Sequence, residues 1–140
     1  MSQNSEFVER MFDVVINQGD LDAAPEFFAE DYVDHGPMGE MQGIEAFKGA
    51  VAMWRAACPD VHCTVENWIE QADTAAWLVR VTGTFTGEMM GMPPTGKSFE
   101  YVTANMGRFN ADGKAAEHWA DQGMFQFLTQ VGALPTPAMG

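Results

Sequence analysis

Positive charge is scarce in this chain. Seven Lys and Arg stand against 20 Asp and Glu, a formal net charge of −13 over 140 residues. Nucleic acids and anionic membranes are gripped by clustered Lys and Arg, so neither is expected as a partner. Cysteine is nearly missing as well, with only Cys58 and Cys63, both in CPDVHC. Pro59 and a strand start between them make so short a disulfide awkward, and His62 alone adds too few ligands for a metal site. Two reduced, buried thiols are expected. The opening MSQNSEFVER has no basic stretch followed by an apolar core, so no secretory signal is read there. No apolar run approaches membrane-spanning length. A cytoplasmic protein with a soluble acidic surface is expected. The chain also lacks a phosphate loop, a dinucleotide glycine pattern and a metal-ligand constellation, so no cofactor and no metal are expected.

What is present is the material of a core. Hydrophobic residues make up 46% of the chain and charged ones 19%, the balance of one folded domain over residues 1–140. Residues 1–4 and 135–140 are expected to be loosely ordered. In SEFVERMFDVVINQGD, Phe7, Val8, Met11, Phe12, Val15 and Ile16 recur at helical spacing, with Ser5 as N-cap and Gly19 as stop. LDAAPEFFAEDY reads as a second, short helix with Phe27 and Phe28 turned to the core. GIEAFKGAVAMWRAAC reads as a third, with Ile44, Phe47, Val51 and Trp54 on one stripe.

After Pro59 the period changes from 3.6 to 2. DVHCTVENWIEQ, TAAWLVRVTGTFTGE, KSFEYVTANMGRF and KAAEHWADQ are candidate strands, punctuated by Asp73, GMPPTG and NADG. Helices followed by a meander predict an α+β domain: three N-terminal helices packed on a strongly curved, mainly antiparallel sheet. Gly83, Gly87 and Gly107 suit the bending. Such a sheet leaves a conical cavity lined by strand residues of one parity, and a hydrophobic small molecule is the expected partner.

FFAEDYVDHGP, AACPDVHCTVENW, VTGTFTGEMMGMPPTGKSFEY, GRFNADGKAAEHW and TQVGALP follow in order the pattern of a known family. From about Phe27 to Pro135 the chain resembles the SnoaL-like polyketide cyclases, within the NTF2-like and ketosteroid-isomerase-like superfamily. The resemblance implies a cone-shaped α+β barrel, a homodimer, a deep apolar pocket and a cofactor-free intramolecular aldol closure.

The resemblance also implies an acid–base aspartate shortly after EHW. Asp121 is the aspartate available there, two residues after Trp119, whereas many relatives place it four after, where this chain has Gly123. A carboxylate in an apolar cavity serves both halves of an aldol closure, since desolvation raises its pKa toward working pH. His35, in DYVDHGP, is the second catalytic candidate, able to polarise a carbonyl at the pocket mouth; Tyr32 beside it is expected to pack. Strand alternation puts Glu117 on the face of Trp119 and His118 on the other, unless a bulge swaps them. Tyr101, Thr103 and Asn105 share a parity, and pairing across NADG would set Asn105 opposite Trp119 and Thr103 opposite Asp121. Trp119, Asn105, Thr103, Tyr101, Phe85 and Trp54 are the expected binding residues, and Arg108 belongs outside the sheet.

Two departures bear on the reaction. Leu78 and Phe85 stand where relatives often carry an arginine and a histidine, which implies a greasier pocket. Methionines in EMMGMPP suit loosely specified apolar ligands. Besides aldol cyclisation or isomerisation of an apolar carbonyl compound, two readings stay open. One is a non-catalytic binding domain for a lipophilic metabolite. The other is an epoxide hydrolase, which would want a second carboxylate and an inward arginine.

Overall fold

The computed structural model describes residues 2–37 and 39–134; the tail from residue 135 lies outside them. Helix α1 (Gln3–Met11) starts earlier than the expected Ser5 cap. Ser2 is the N-cap, its hydroxyl accepting from the Ser5 N–H at 3.0 Å. Residues 2–4 are thus a cap and a first turn, not loose chain. A π-helical stretch (Phe12–Asn17) continues α1 and buries Phe12, Val15 and Ile16. Its last carbonyls, on Ile16 and Asn17, accept from the Arg55 guanidinium at 2.6 and 2.9 Å.

The second predicted helix is corrected. Only a 3₁₀ stretch forms, Leu21–Glu26, and strand β1 (Phe28–Gly36) follows at once. Pro25 has no N–H and clashes with the carbonyl four residues back, so an α-helix cannot grow through it. Beyond it Phe28, Tyr32 and Asp34 are buried while Glu30 and Asp31 are exposed. The remaining elements are β2 (Gly39–Gln42), α2 (Ile44–Ala57), β3 (His62–Gln71), β4 (Thr74–Thr84), β5 (Ser98–Phe109), β6 (Ala115–Ala120) and α3 (Met124–Gln130).

The sheet has six strands in the order β2-β1-β6-β5-β4-β3. All neighbours are antiparallel except β1 and β6. That parallel pair brings the first strand beside the last and sets Asp34 opposite His118. On β4 and β5 the odd-numbered residues from Ala75 to Val81 and from Phe99 to Phe109 are buried, which defines the inner face. Gly107 belongs to it for a steric reason: a Cβ there would stand 2.9 Å from Trp77 Cη2. The Trp77 ring is in turn stacked on Trp68, centroids 5.0 Å apart and planes at 18°.

One irregularity decides which side of β6 looks inward. The β5–β6 register pairs Phe109 with Ala115 but Arg108 with Glu117, so Ala116 is an extra residue on β6. Past this bulge every side chain changes face. Asn105 therefore lies opposite Ala120, not Trp119, and Gly107 opposite His118. Cys58 and Cys63 are free and buried. Among the described residues no helix is long and apolar enough to cross a membrane.

Candidate active site

Between the inner face and the helices lies a cavity of about 200 Å³. Its wall is mostly apolar, with Phe28, Phe47, Trp54 and Trp77 among the aromatic residues. Five methionines line it from separate parts of the chain: Met11, Met41, Met53, Met89 and Met124.

Against this wall runs one connected chain of polar groups. The Tyr32 hydroxyl donates to Asp34 Oδ2 at 2.9 Å. Asp34 Oδ1 lies 3.1 Å from His118 Nδ1, and His118 Nε2 lies 2.8 Å from Asn105 Oδ1. The Asn105 amide nitrogen donates to the carbonyl of Thr103 at 3.2 Å and to its hydroxyl at 3.1 Å. Asp34, Thr103 and Asn105 are buried, at 3%, 5% and 7% exposure. Three strands supply the chain: β1 gives Tyr32 and Asp34, β5 gives Thr103 and Asn105, and β6 lies between them and gives His118.

The protons in this chain can be placed by elimination. The Thr103 carbonyl only accepts, so the Asn105 atom facing it is the NH₂ and its oxygen faces His118. An amide oxygen only accepts, and so does an ionised carboxylate. Both neighbours of the imidazole are therefore acceptors. The frame is matched to an imidazole bearing a proton on each nitrogen, with Asp34 as its counter-charge. Tyr32 stays a donor within it, because burial first, and the Asp34 charge second, hold its hydroxyl well above the usual tyrosine range.

Tyr101, Thr103, Asn105 and Trp54 all line the cavity. Asp121 does not. Strand β6 ends at Ala120, and Gln122 (φ 59°) and Gly123 (φ 67°) turn the chain through left-handed conformations, so the strand parity stops before Asp121. Asp121 is exposed, and its Oδ1 accepts from the Gly123 N–H at 3.0 Å. His35 faces the opposite side of the sheet from Asp34, as alternation along β1 requires. There its Nε2 meets Glu117 at 2.7 Å and its ring stacks on Trp119 at 5.2 Å. Arg108 lies on that outer side too, 3.2 Å from Glu117. The hydrogen bond from His35, and then Arg108, hold the Glu117 carboxyl below the usual glutamate range.

Trp119 thus packs outside, carried there by the bulge that turns His118 inward. Phe85 is fully buried against Phe127, centroids 5.6 Å apart, and is not part of the cavity wall. Leu78 has the outer parity of β4. Neither departure therefore removes a polar group from the cavity. Sequence reasoning gave Asp34 no role and put His118 outward on a regular strand, and the bulge it named as the exception is present. The signals for them were the alternation of Tyr32 and Asp34 and the extra residue in KAAEHW.

A family model described as SnoaL-like polyketide cyclase matches residues 6–131. The aklanonic acid methyl ester cyclase DnrD of Streptomyces peucetius is 30% identical over 129 residues, 86% of this chain and 86% of its own. The crystal structure of IdmH from Streptomyces antibioticus, a candidate polyketide cyclase, is similar with a TM-score of 0.78 and 32% identity, covering 94% of this chain and 99% of that one. AclR from Streptomyces galilaeus, a candidate hydroxylase, is similar with a TM-score of 0.82 and 28% identity, covering 99% and 87%. These matches span the cavity-lining strands and the helices over them, and the chain belongs to the SnoaL-like polyketide cyclase family.

Proposed function

We propose that this protein is a cofactor-independent cyclase or isomerase, with His118 as its proton carrier and an apolar, carbonyl-bearing small molecule as its substrate. The observation that supports this reading is the frame around His118, two acceptors set at its two nitrogens inside an otherwise apolar cavity. Neutral His118 keeps its Nδ1–H on Asp34, and its unprotonated Nε2, which lies 2.8 Å from Asn105 Oδ1, takes a proton from carbon beside the substrate carbonyl. The C–H electron pair becomes the enolate, and the imidazolium formed is the species that Asp34 and Asn105 are placed to receive. In an aldol closure the enolate carbon then attacks a second carbonyl, and Nε2 returns the proton to the new alkoxide. Isomerisation is the same exchange with the proton returned to a different carbon.

Asp34 orients the ring and balances its charge, the part a carboxylate plays behind a catalytic histidine. A binding-only reading accounts for the cavity but leaves this frame without a task. The two readings separate in D₂O with 2-tetralone as a simple carbonyl probe. Wild type accelerates deuterium uptake beside the carbonyl. Asp34→Asn, nearly isosteric, slows that uptake by about 10²–10⁴-fold with little change in probe affinity. Equal uptake with and without protein would sink the enzymatic reading.

A further inference from the structure

Tyr101 is a second polar group on the cavity wall that this chemistry leaves unused. Its side chain lies in the wall and is buried, at 6% exposure. Tyr32, the other tyrosine of the cavity, gives its hydroxyl to Asp34. No hydrogen bond among the described residues takes up the Tyr101 hydroxyl, and it is not one of their sealed unpartnered atoms, Trp77 Nε1 and Thr129 Oγ1.

The ring is held in place from two sides. Phe99 stacks on it with centroids 5.7 Å apart and planes at 26°. On another side it rests against Gly123, where a Cβ would come within 2.3 Å of Tyr101 Cε2 and 2.9 Å of Thr103 Cγ2. Gly123 has φ 67°, so glycine there meets both the backbone and the ring. The phenol is thus a preset group on the inner face of β5, four residues before Asn105. Four residues of strand separate their backbones by about 13 Å.

We propose that Tyr101 is a specificity-determining residue: its hydroxyl donates a hydrogen bond to a second oxygen of the bound molecule, remote from the carbonyl at His118. The cavity then selects rigid, largely apolar molecules with oxygen functions at two separated positions. Molecules with a single carbonyl leave the phenol unpaired and bind less tightly. Burial holds the Tyr101 hydroxyl above the usual tyrosine range, so it remains a donor throughout the neutral region. This inference rests on the proposed site at His118 but reads a different contact.

2-Acetylnaphthalene and 6-hydroxy-2-acetylnaphthalene are suitable probes, identical except for one added oxygen at the far end of the ring from the single carbonyl. Wild type binds the hydroxy compound about five- to tenfold more tightly, the usual increment of one hydrogen bond. Tyr101→Phe keeps the ring and its packing, and it removes that preference while 2-acetylnaphthalene affinity stays within about twofold. His118→Gln leaves the preference intact, because it alters neither the phenol nor the ring packed on it. Wild type showing no preference, or Tyr101→Phe retaining it, overturns the proposal. If Tyr101→Phe removes the preference while His118→Gln leaves deuterium uptake by 2-tetralone unchanged, the Tyr101 contact stands and the proton-carrying role of His118 falls.

Discussion

His118 shows how one residue's role can depend on a neighbour with no chemistry of its own. Simple alternation along β6 would turn His118 outward, and the bulge at Ala116 turns it in beside Asp34 and Asn105. Tyr101, Thr103 and Asn105 were legible because β5 alternates without interruption between buried and exposed. His118 was not, since nothing in alanine announces a bulge. Asp121 misleads for the converse reason, a carboxylate of the right parity beyond the last residue of its strand. The cysteines carry a prediction of the same grain. Burial pushes the Cys63 thiol up to about 12, and burial with the Asp60 charge pushes Cys58 up to about 11. In the unfolded chain they ionise at ordinary values near 9. Raised native values mean that this stability is whole below about pH 9 and drains away as pH climbs toward 11 and 12. The urea midpoint should fall across that range. At pH 8 a thiol-reactive disulfide reagent should label neither cysteine until the chain unfolds, and prompt labelling of native protein would contradict the burial argument.

At the scale of elements, β1 is the piece that sequence periodicity misassigned. Aromatic residues in FFAEDY fit a helical stripe and a strand face alike, and only Pro25 marks the change. Its parallel partner β6 comes some eighty residues later, so no local pattern announces the pairing that brings Asp34 to His118. The meander from β3 to β6 was readable because β4 and β5 alternate along their length and turn residues mark each connection, Asp73 after β3, GMPPTG after β4 and NADG after β5. Packing between β4 and β5 has a sharp test at Gly107, where the inner face has room for Trp77 and nothing more. Gly107→Ala puts a methyl 2.9 Å from Cη2 of a ring already stacked on Trp68. Overpacking of this kind costs about 1–3 kcal/mol, to be read from urea unfolding with an unchanged m-value. A variant as stable as wild type would show that Trp77 is free to move.

At the scale of the whole molecule, the fold sorts charge and greasiness into two compartments. A surface with a net charge of −13 encloses a cavity whose wall is aromatic rings and thioethers. The two histidines near β6 are sorted as well. His35 pairs with Glu117 outside the sheet, and His118 joins the buried chain of hydrogen bonds inside it. The central claim is that the inner histidine, and not the aspartate after Trp119, carries the proton. The most direct measurement is deuterium uptake by 2-tetralone in D₂O, compared between His118→Gln and Asp121→Asn at matched probe occupancy. His118→Gln should lose about 10²–10⁴-fold in uptake rate while Asp121→Asn keeps the wild-type rate. Full activity in His118→Gln, with the loss falling on Asp121→Asn, would contradict it.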